Sequence, residues 1–349
     1  MRSKSVHSLS STGYVQLVRK NSNFRNLWVG QVVSLLGDWF NLIASASLIG
    51  MLTQSGVAVG SLFVVRLLAP FVVSPFAGVV ADRYNRKIIL IVADISRALT
   101  VLGFLFVRNP EQVWLLYLLT AIQLGISGFF FPARSAILPD IVSARELGAA
   151  NALSSATWSI MLALGSALGG IVAGSWGIYP AFWIDAGSFL LSAIFVAQVR
   201  YEPTIDVGYI KSTLAVLVEY IDGLKYLKNN LDIFVVALLK AAISLSLAGG
   251  FQVLQVRLAE QIYIIGDGGS TGLGIMYAVV GIGTGLGPIG ARKFTGDRNT
   301  AMRIAIVYAF FISAIGLALI APLPGFGLVL FGVFLRGLGS GLIWVFSTQ

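Results

Sequence analysis

Long apolar segments separated by short polar connections run along the whole chain. A helix that crosses a membrane needs about 20 mostly apolar residues, and ten segments meet this requirement. They span residues 27–52, 57–80, 88–107, 112–131, 150–174, 179–199, 232–254, 270–290, 302–321 and 325–347. The alternation of apolar and polar positions that is typical of strands in a membrane barrel is absent from these segments. The pattern therefore predicts an all-α integral membrane protein with ten spans.

The composition supports this prediction and excludes several classes of protein. Of the 349 residues, 57% are hydrophobic and 11% are charged, which is too little charge for a surface that faces water. A soluble enzyme, a nucleic-acid-binding domain and a disordered chain are therefore excluded. The chain has no cysteine and one histidine, His7, so we expect no disulfide, no metal site and no histidine proton relay within the membrane.

The basic residues concentrate on one side of the predicted membrane. Seventeen Lys and Arg residues lie in the N-terminal tail and in loops 2–3, 4–5, 6–7 and 8–9, with Arg134 and Arg145 in loop 4–5. Two, Arg108 and Arg257, lie on the other side. Because cytoplasmic loops are enriched in Lys and Arg, this asymmetry predicts a multi-pass protein of the plasma (inner) membrane with a cytoplasmic N-terminus.

The long connection after the sixth span divides the chain into two halves. We expect a basic cytoplasmic tail at 1–26, a six-helix bundle at 27–199, a linker at 200–231 and a second, four-helix bundle at 232–349. Within the linker, apolar residues recur at helical spacing among lysines. This spacing predicts an amphipathic helix that lies on the cytoplasmic face.

Two short strings of the first half recur in the second half. Gly78, followed by basic residues, matches Gly290 at an offset of 212 residues, and Ser127-Gly128 matches Ser340-Gly341 at an offset of 213. Matching offsets indicate a parallel duplication, of which the second copy has four helices where the first has six. We therefore expect ten helices of an original twelve, with about 65 residues of the full protein missing after the last span. The alternative is a protein built from ten helices.

The connection between the second and third spans carries a specific motif. Gly78, Asp82, Arg83, Arg86 and Lys87 fit the pattern G-x-x-x-D-R-x-x-R-K/R. This string resembles the loop 2–3 signature of the major facilitator superfamily, and the resemblance implies a two-bundle helical transporter that works by alternating access. Loop composition alone fits basic anchoring and gating equally well, and the resemblance implies the gating role, in which ion pairs form in one conformation and break in another.

Further strings resemble one branch of that superfamily, which contains the enterobactin exporters and the macrolide-efflux proteins. They are Asn23-Phe24-Arg25, Ser34 with Gly37-Asp38, Pro132-Ala133-Arg134, Leu138-Pro139 and Ala150-Asn151. The resemblance implies a monomer that uses the proton gradient to export a small amphipathic compound such as a drug, a macrolide-like antibiotic or a siderophore. The alternative is a non-transporting membrane sensor or scaffold, or an inactive truncated remnant.

Three acidic residues within the spans are candidates for carrying the coupled proton, because ionisable groups at membrane depth are costly and mark functional sites. Asp38, near the middle of the first span, is the first candidate, and Asp94 and Asp185 follow. Asp94 and Arg97 can also pair across one helical turn, and a structural ion pair is the favoured interpretation there. For Asp185 the alternative is a hydrated position at the extracellular interface.

Four basic residues within the spans are candidates for lining a substrate cavity: Arg66, Arg97, Lys240 and Arg336. Together they favour an anionic or polar substrate over a purely cationic one. No cofactor and no catalytic role are predicted, and the chain lacks the G-x-x-x-x-G-K-S/T loop of nucleotide-driven pumps. The expected partners are the lipid bilayer, a small-molecule substrate and protons, with no nucleic acid.

The fifth span is rich in glycine. Gly165, Gly169 and Gly170 predict close helix packing. They also resemble a glycine-rich element of family exporters, although this chain has Ser166 where that element has a proline. Most of the tryptophans lie near predicted span ends, where aromatic side chains favour the membrane interface.

Overall fold

A computed structural model describes residues 13–201, 249–295, 298–323 and 325–346, with isolated positions between 222 and 234. All regular structure in these ranges is helical. The first half contains α1 (Tyr14–Lys20), α2 (Ser22–Thr53), α3 (Gly56–Arg83), α4 (Arg86–Gly103), α5 (Val113–Ile141), α6 (Leu147–Ser175) and α7 (Ile178–Ala197). The second half contains α8 (Phe251–Gln261), α9 (Ser270–Thr295), α10 (Asn299–Ile320) and α11 (Phe326–Phe346).

Nine helical segments of this described part are long and apolar enough to cross a membrane, and they correspond to α2–α7 and α9–α11. The predicted seventh span, 232–254, lies mostly outside the described residues, as do Lys240 and the predicted amphipathic helix of the linker. Helix α8 continues past the predicted end of this span at residue 254 and ends at Gln261.

Side-chain caps begin several of the spans. The Asn21 side-chain oxygen accepts a hydrogen bond from the Phe24 amide at 2.9 Å at the start of α2. Asn85 does the same for α4, where its oxygen accepts from the Lys87 amide at 3.0 Å. Such caps satisfy amide groups that have no partner within the helix. Helix α2 begins at Ser22, so the last five residues of the predicted tail 1–26 are helical.

Helix α5 ends ten residues later than predicted, since it runs to Ile141 rather than to 131. The prediction ended the helix before Pro132, but both Pro132 and Pro139 lie within it. Proline is tolerated in membrane helices where neighbouring groups satisfy the freed carbonyls. Arg134 therefore lies inside a helix, and its placement in loop 4–5 was wrong.

The six spans of the first half form one bundle. Helix α2 packs along α6 and α7, α3 packs along α5, and α4 packs between α5 and α7. In the second half, α9 and α10 both pack on α11. Among the described residues, the two halves meet chiefly along α6 and α9. We call this contact the seam.

The seam is tight along part of its length because glycines remove the side chains there. A Cβ atom added at Gly170 would lie 2.7 Å from the Cα atom of Gly274, and one at Gly281 would lie 2.8 Å from the Cα atom of Ala163. The Thr271 hydroxyl also donates a hydrogen bond to the Gly170 carbonyl at 3.1 Å. Such backbone-to-backbone contact is the usual mode of helix association in membranes.

The same two helices have free space further along. Added Cβ atoms at Gly148 of α6 and at Gly285 and Gly290 of α9 would have no neighbour within 4 Å outside their own helices. We call the end of the molecule that contains Gly174 and Gly266 the closed end, since a Cβ at Gly174 would lie 3.1 Å from the Gly266 Cα atom. The end that contains Gly148 and Gly290 is called the open end.

Candidate functional site

A cavity of about 520 Å³ lies within the first bundle. Its walls come from α2, α3, α4, α5 and α6, and Gln252 of α8 contributes from the second half. This volume lies in the range of sites that hold small molecules, about 300–1,000 Å³. The polar part of the lining consists of Gln31, Ser34, Asp38, Arg66, Ser74, Arg97, Ser127, Arg134 and Gln252.

Asp38 lies close to the midpoint of α2 and lines this cavity. It is half-buried and interacts electrostatically with Arg66 of α3 and Arg97 of α4. It also interacts with two other carboxyl groups, Asp94 and Asp185. The structure thus brings the three acidic candidates from α2, α4 and α7 into one electrostatic cluster.

The Asp94–Arg97 ion pair predicted from the spacing is present, and it is buried. Asp94 is 0% exposed and accepts a further hydrogen bond from the Ser192 hydroxyl at 2.7 Å. The Arg97 guanidinium lies 4.2 Å from the centroid of the Phe189 ring and donates to the Ser127 hydroxyl at 3.3 Å. Because both charges have several partners, this pair ties α4 to α5 and α7.

Asp185 is completely buried in α7, so the alternative of a hydrated interfacial position is wrong. The side chain of Asn41 on α2 interacts with its carboxyl group. Helix α2 approaches it closely, since a Cβ atom added at Gly37 would lie 2.5 Å from Asp185 Oδ1. Gly37 therefore allows this carboxyl group to pack directly beside the helix that carries Asp38.

Of the four basic candidates, three lie in the part of the chain that the structure describes, and two of these, Arg66 and Arg97, line the cavity. Arg336 does not line it, because its guanidinium lies 3.9 Å from the centroid of the Phe251 ring and is 5% exposed. It lies inside the second half, and a role in substrate binding stays a prediction for it. Lys240 lies outside the described residues.

Arg134 is a lining residue that the sequence analysis missed. It is 7% exposed, and its Nη2 donates to the Gln31 side-chain oxygen and to the Ser154 hydroxyl, the latter at 2.8 Å. Both partners are neutral and are themselves buried. The apolar run Ala136-Ile137-Leu138 after it is the signal that could have extended the helix past the proline.

Aromatic side chains form the other part of the cavity wall. Trp39 and Trp158 line it with their ring centroids 6.2 Å apart in an edge-to-face arrangement, and Phe130 and Phe131 join them. Trp39 and Trp158 are thus exceptions to the predicted concentration of tryptophans near span ends. The cavity is therefore amphipathic, with charges beside an aromatic wall.

A model of the Major Facilitator Superfamily matches residues 27–349. The chain belongs to this superfamily. It is 28% identical over 342 residues to an uncharacterized MFS-type transporter, YfiS, of Bacillus subtilis (strain 168), an alignment that covers 94% of this chain and 78% of the relative. It is also 28% identical to the putative bacilysin exporter BacE of the same strain, over 87% of this chain and 73% of the relative.

A third relative is macrolide efflux protein A of Streptococcus pyogenes, which is 26% identical over 62% of this chain and 53% of its own length. The predicted efflux-type branch of the superfamily is therefore confirmed. Among solved structures, the nucleoside transporter NupG superposes with a TM-score of 0.69 at 15% identity, covering 93% of this chain and 80% of that chain. A bacterial homolog of the human lysosomal transporter Spinster, inward-facing and unoccupied, gives 0.68 at 14%, with 94% and 76% covered. These likenesses show the fold.

The superfamily motif lies at the open end, between α3 and α4. Arg86 ties this connection to α5, because its Nη1 lies 2.7 Å from Asp140 Oδ2 and donates to the Ala136 carbonyl at 3.1 Å. Asp82 and Gly78 are exposed, and a Cβ at Gly78 would meet open space. The remaining members, Arg83 and Lys87, are half-buried.

The glycines of α6 face two different helices. A Cβ atom added at Gly165 would lie 2.9 Å from a ring carbon of Trp39, and one at Gly169 would lie 3.0 Å from the Phe40 Cα atom. Both therefore pack against α2, whereas Gly170 packs against α9 across the seam. The glycines thus link the aromatic wall of the cavity to the seam between the halves.

Proposed function

We propose that this superfamily member exports a small amphipathic compound from the cytoplasm by alternating access, driven by protons. The observation that carries the proposal is the cavity of about 520 Å³ in the first bundle, with Asp38 and three arginines beside an aromatic wall. Such a lining suits a compound that has both a polar and an apolar part. The names of the relatives, which include a bacilysin exporter and a macrolide efflux protein, support export as the direction.

The difference between the two ends supports alternating access. The backbones of α6 and α9 touch at the closed end, whereas added Cβ atoms at Gly148 and Gly285 toward the open end would have no neighbour within 4 Å. The cavity reaches Gln31 and Arg134 toward the open end. We place the open end, which carries the basic motif, in the cytoplasm, because cytoplasmic connections are rich in Lys and Arg. A cavity that is reached from the cytoplasm can be loaded with a compound to be exported.

The acidic cluster supports the proton coupling. Asp38 lines the cavity, while Asp94 and Asp185 lie fully buried behind it. A carboxyl group that faces the cavity in one conformation and a different environment in the other can take up a proton on one side and release it on the other. We assign the exchanging proton to Asp38, with Asp185 as the second group of the pathway.

The proposal is tested by efflux measurements in cells that lack other efflux systems. The full chain is expressed, the cells are loaded with a panel of fluorescent compounds, and efflux is followed with and without an uncoupler. We expect uncoupler-sensitive efflux of at least one compound and its loss in Asp38→Asn. The matched control is Asp267→Asn, which changes an exposed carboxyl group in the turn before α9 and should leave efflux unchanged.

Two outcomes would contradict the proposal. Efflux that the uncoupler does not slow, or that survives in Asp38→Asn, would exclude proton coupling through this residue. Binding of compounds to the purified chain without flux in proteoliposomes would instead support a non-transporting sensor.

A further inference from the structure

The buried charges of the first bundle differ in what balances them. Arg97 forms an ion pair with Asp94, and Arg66 interacts electrostatically with Asp38. Arg134 is equally buried, yet its hydrogen-bond partners are Gln31 and Ser154, which carry no charge. Within the described ranges of the chain, no carboxylate oxygen lies within 4.0 Å of its guanidinium.

A buried cation without a counter-ion is costly, because the charge has lost its hydration and no opposite charge replaces it. The cost falls when an anion enters the cavity that this guanidinium lines. Arginine is suited to the role, since its planar guanidinium offers five N–H donors in a geometry that matches a carboxylate.

From this arrangement we infer that Arg134 binds a carboxylate of the transported compound, so that the cavity selects organic acids and zwitterions with an aromatic or apolar part. The inference rests on the proposed export function and names its substrate class. Gln31 and Ser154 are positioning residues that hold the guanidinium through Nη2. The N–H group of Nε, which is buried, has no acceptor among the described residues, so the protein does not satisfy this guanidinium completely.

The aromatic wall of the cavity recognises the apolar part of the compound. Trp39 and Trp158 form the aromatic wall of the same cavity that Arg134 lines. Apolar contact with this wall provides affinity without regard to charge, whereas Arg134 provides discrimination between an acid and its neutral analogue. Arg134 lies on the open-end side of α5, seven residues before Ile141 at its end, so the anion meets this residue as it enters from the open end.

A matched pair of probes separates the two contributions: dansylglycine, which carries a carboxylate, and dansylglycinamide, which is neutral. The full chain is placed in nanodiscs at pH 7, and binding is measured by energy transfer from tryptophan to the dansyl group, for which Trp39 and Trp158 are suitably placed donors. We expect the acid to bind roughly tenfold more tightly than the amide, as a charge-assisted contact predicts.

Three variants test whether Arg134 causes the preference for the acid over the amide. Arg134→Gln should remove the preference for the acid and leave binding of the amide unchanged. Arg134→Lys, which keeps the charge and loses the planar geometry, should retain part of it. Arg145→Gln removes an exposed arginine of the α5–α6 connection and should behave as the wild type. Thermal unfolding of each variant identifies any that fail to fold, and the acid-against-amide comparison in the wild type tests the inference without any variant.

The inference is overturned if the wild type binds acid and amide equally, if it binds neither probe, or if Arg134→Gln keeps the preference. Failure here is distinct from failure of the export proposal. Uncoupler-sensitive efflux without any preference for acids would leave export in place and remove this site. A preference for the acid that depends on Arg134, without efflux, would support the site and contradict export.

Discussion

The closed and open ends of this transporter are held together by different physical interactions. At the closed end, Gly170 and Gly274 bring the backbones of α6 and α9 into contact, with no room for even one added carbon. At the open end, the Arg86–Asp140 ion pair, whose side chains are 22% and 28% exposed, joins the motif to α5 of the same bundle and does not cross to the second half. Van der Waals contact between backbones does not weaken in water or salt, whereas exposed ion pairs contribute little and are screened. The comparison indicates that the backbone contact at the closed end is the firm joint between the halves, and separation at the open end belongs to the proposed alternating access.

One titratable group belongs to the closed end and lies outside the nine described spans. Glu260 of α8 packs against α2, since a Cβ atom added at Gly50 would clash with its carboxyl group. Arg257 lies one turn before it on the same helix, with its Nη1 3.7 Å from Glu260 Oε2. Burial raises the pKa of Glu260 to about 7, although Arg257 opposes this rise. The firm joint is therefore also expected to respond to pH.

The largest effect on stability is expected from adding a side chain at the backbone contact of the closed end. Gly274→Val adds three carbons where the Gly170 Cα atom leaves no space, and overpacking of this kind costs about 1–3 kcal/mol or more. We expect a clear drop in the thermal unfolding temperature in detergent and loss of efflux. Gly285→Val on the same helix is the control, because its Cβ has open space. Equal destabilisation by both variants would mean that helix propensity, and not the seam, sets the effect.

A medium effect on stability is expected when a change of pH titrates Glu260. A carboxyl group with a raised pKa in the folded protein stabilises the fold while it is protonated, and this stabilisation is lost as the pH rises. Because the pKa shifts from 4.5 to about 7, stability should fall between about pH 5 and pH 8. Glu260→Gln should flatten this part of the stability profile.

Thermal unfolding across that pH range checks the prediction. Glu111→Gln is the matched control, since Glu111 is exposed in the connection between α4 and α5, and it should leave the profile unchanged. A profile that keeps its slope in Glu260→Gln would show that another group is responsible.

The smallest effect on stability is expected at the open end. Arg86→Ala removes the partly exposed ion pair to Asp140, and such pairs contribute about 0–1 kcal/mol. We expect a small decrease in the unfolding temperature that shrinks further at high salt. Arg145→Ala, an exposed arginine at the same end, is the control. If the motif gates the open end, Arg86→Ala should lower the efflux rate strongly while the unfolding temperature changes little. A loss of efflux no larger than the loss of folded protein would contradict gating.

Local patterns along the chain were enough to predict the spans, the superfamily and one ion pair of this protein. The length and hydrophobicity of the segments predicted the spans, because a membrane helix satisfies its own backbone and needs no partner to be recognised. The motif from Gly78 to Lys87 indicated the superfamily, and the three-residue spacing of Asp94 and Arg97 predicted a pair that one helix can form by itself. Each of these features depends on neighbours within the same helix.

The site depended on which helix faces which, and only the tertiary structure decided that. Arg134 and Trp158 line the cavity, although the sequence pattern placed the first in a loop and gave no preference for the second as a cavity residue. Asp185 packs beside the helix of Asp38, and Gly165 and Gly170 of one helix contact two different neighbours. In a segment that is apolar on all sides, periodicity does not show which face is buried against protein and which against lipid. Facing is set by contacts between residues far apart in the chain, and these contacts exist only once the bundle has assembled.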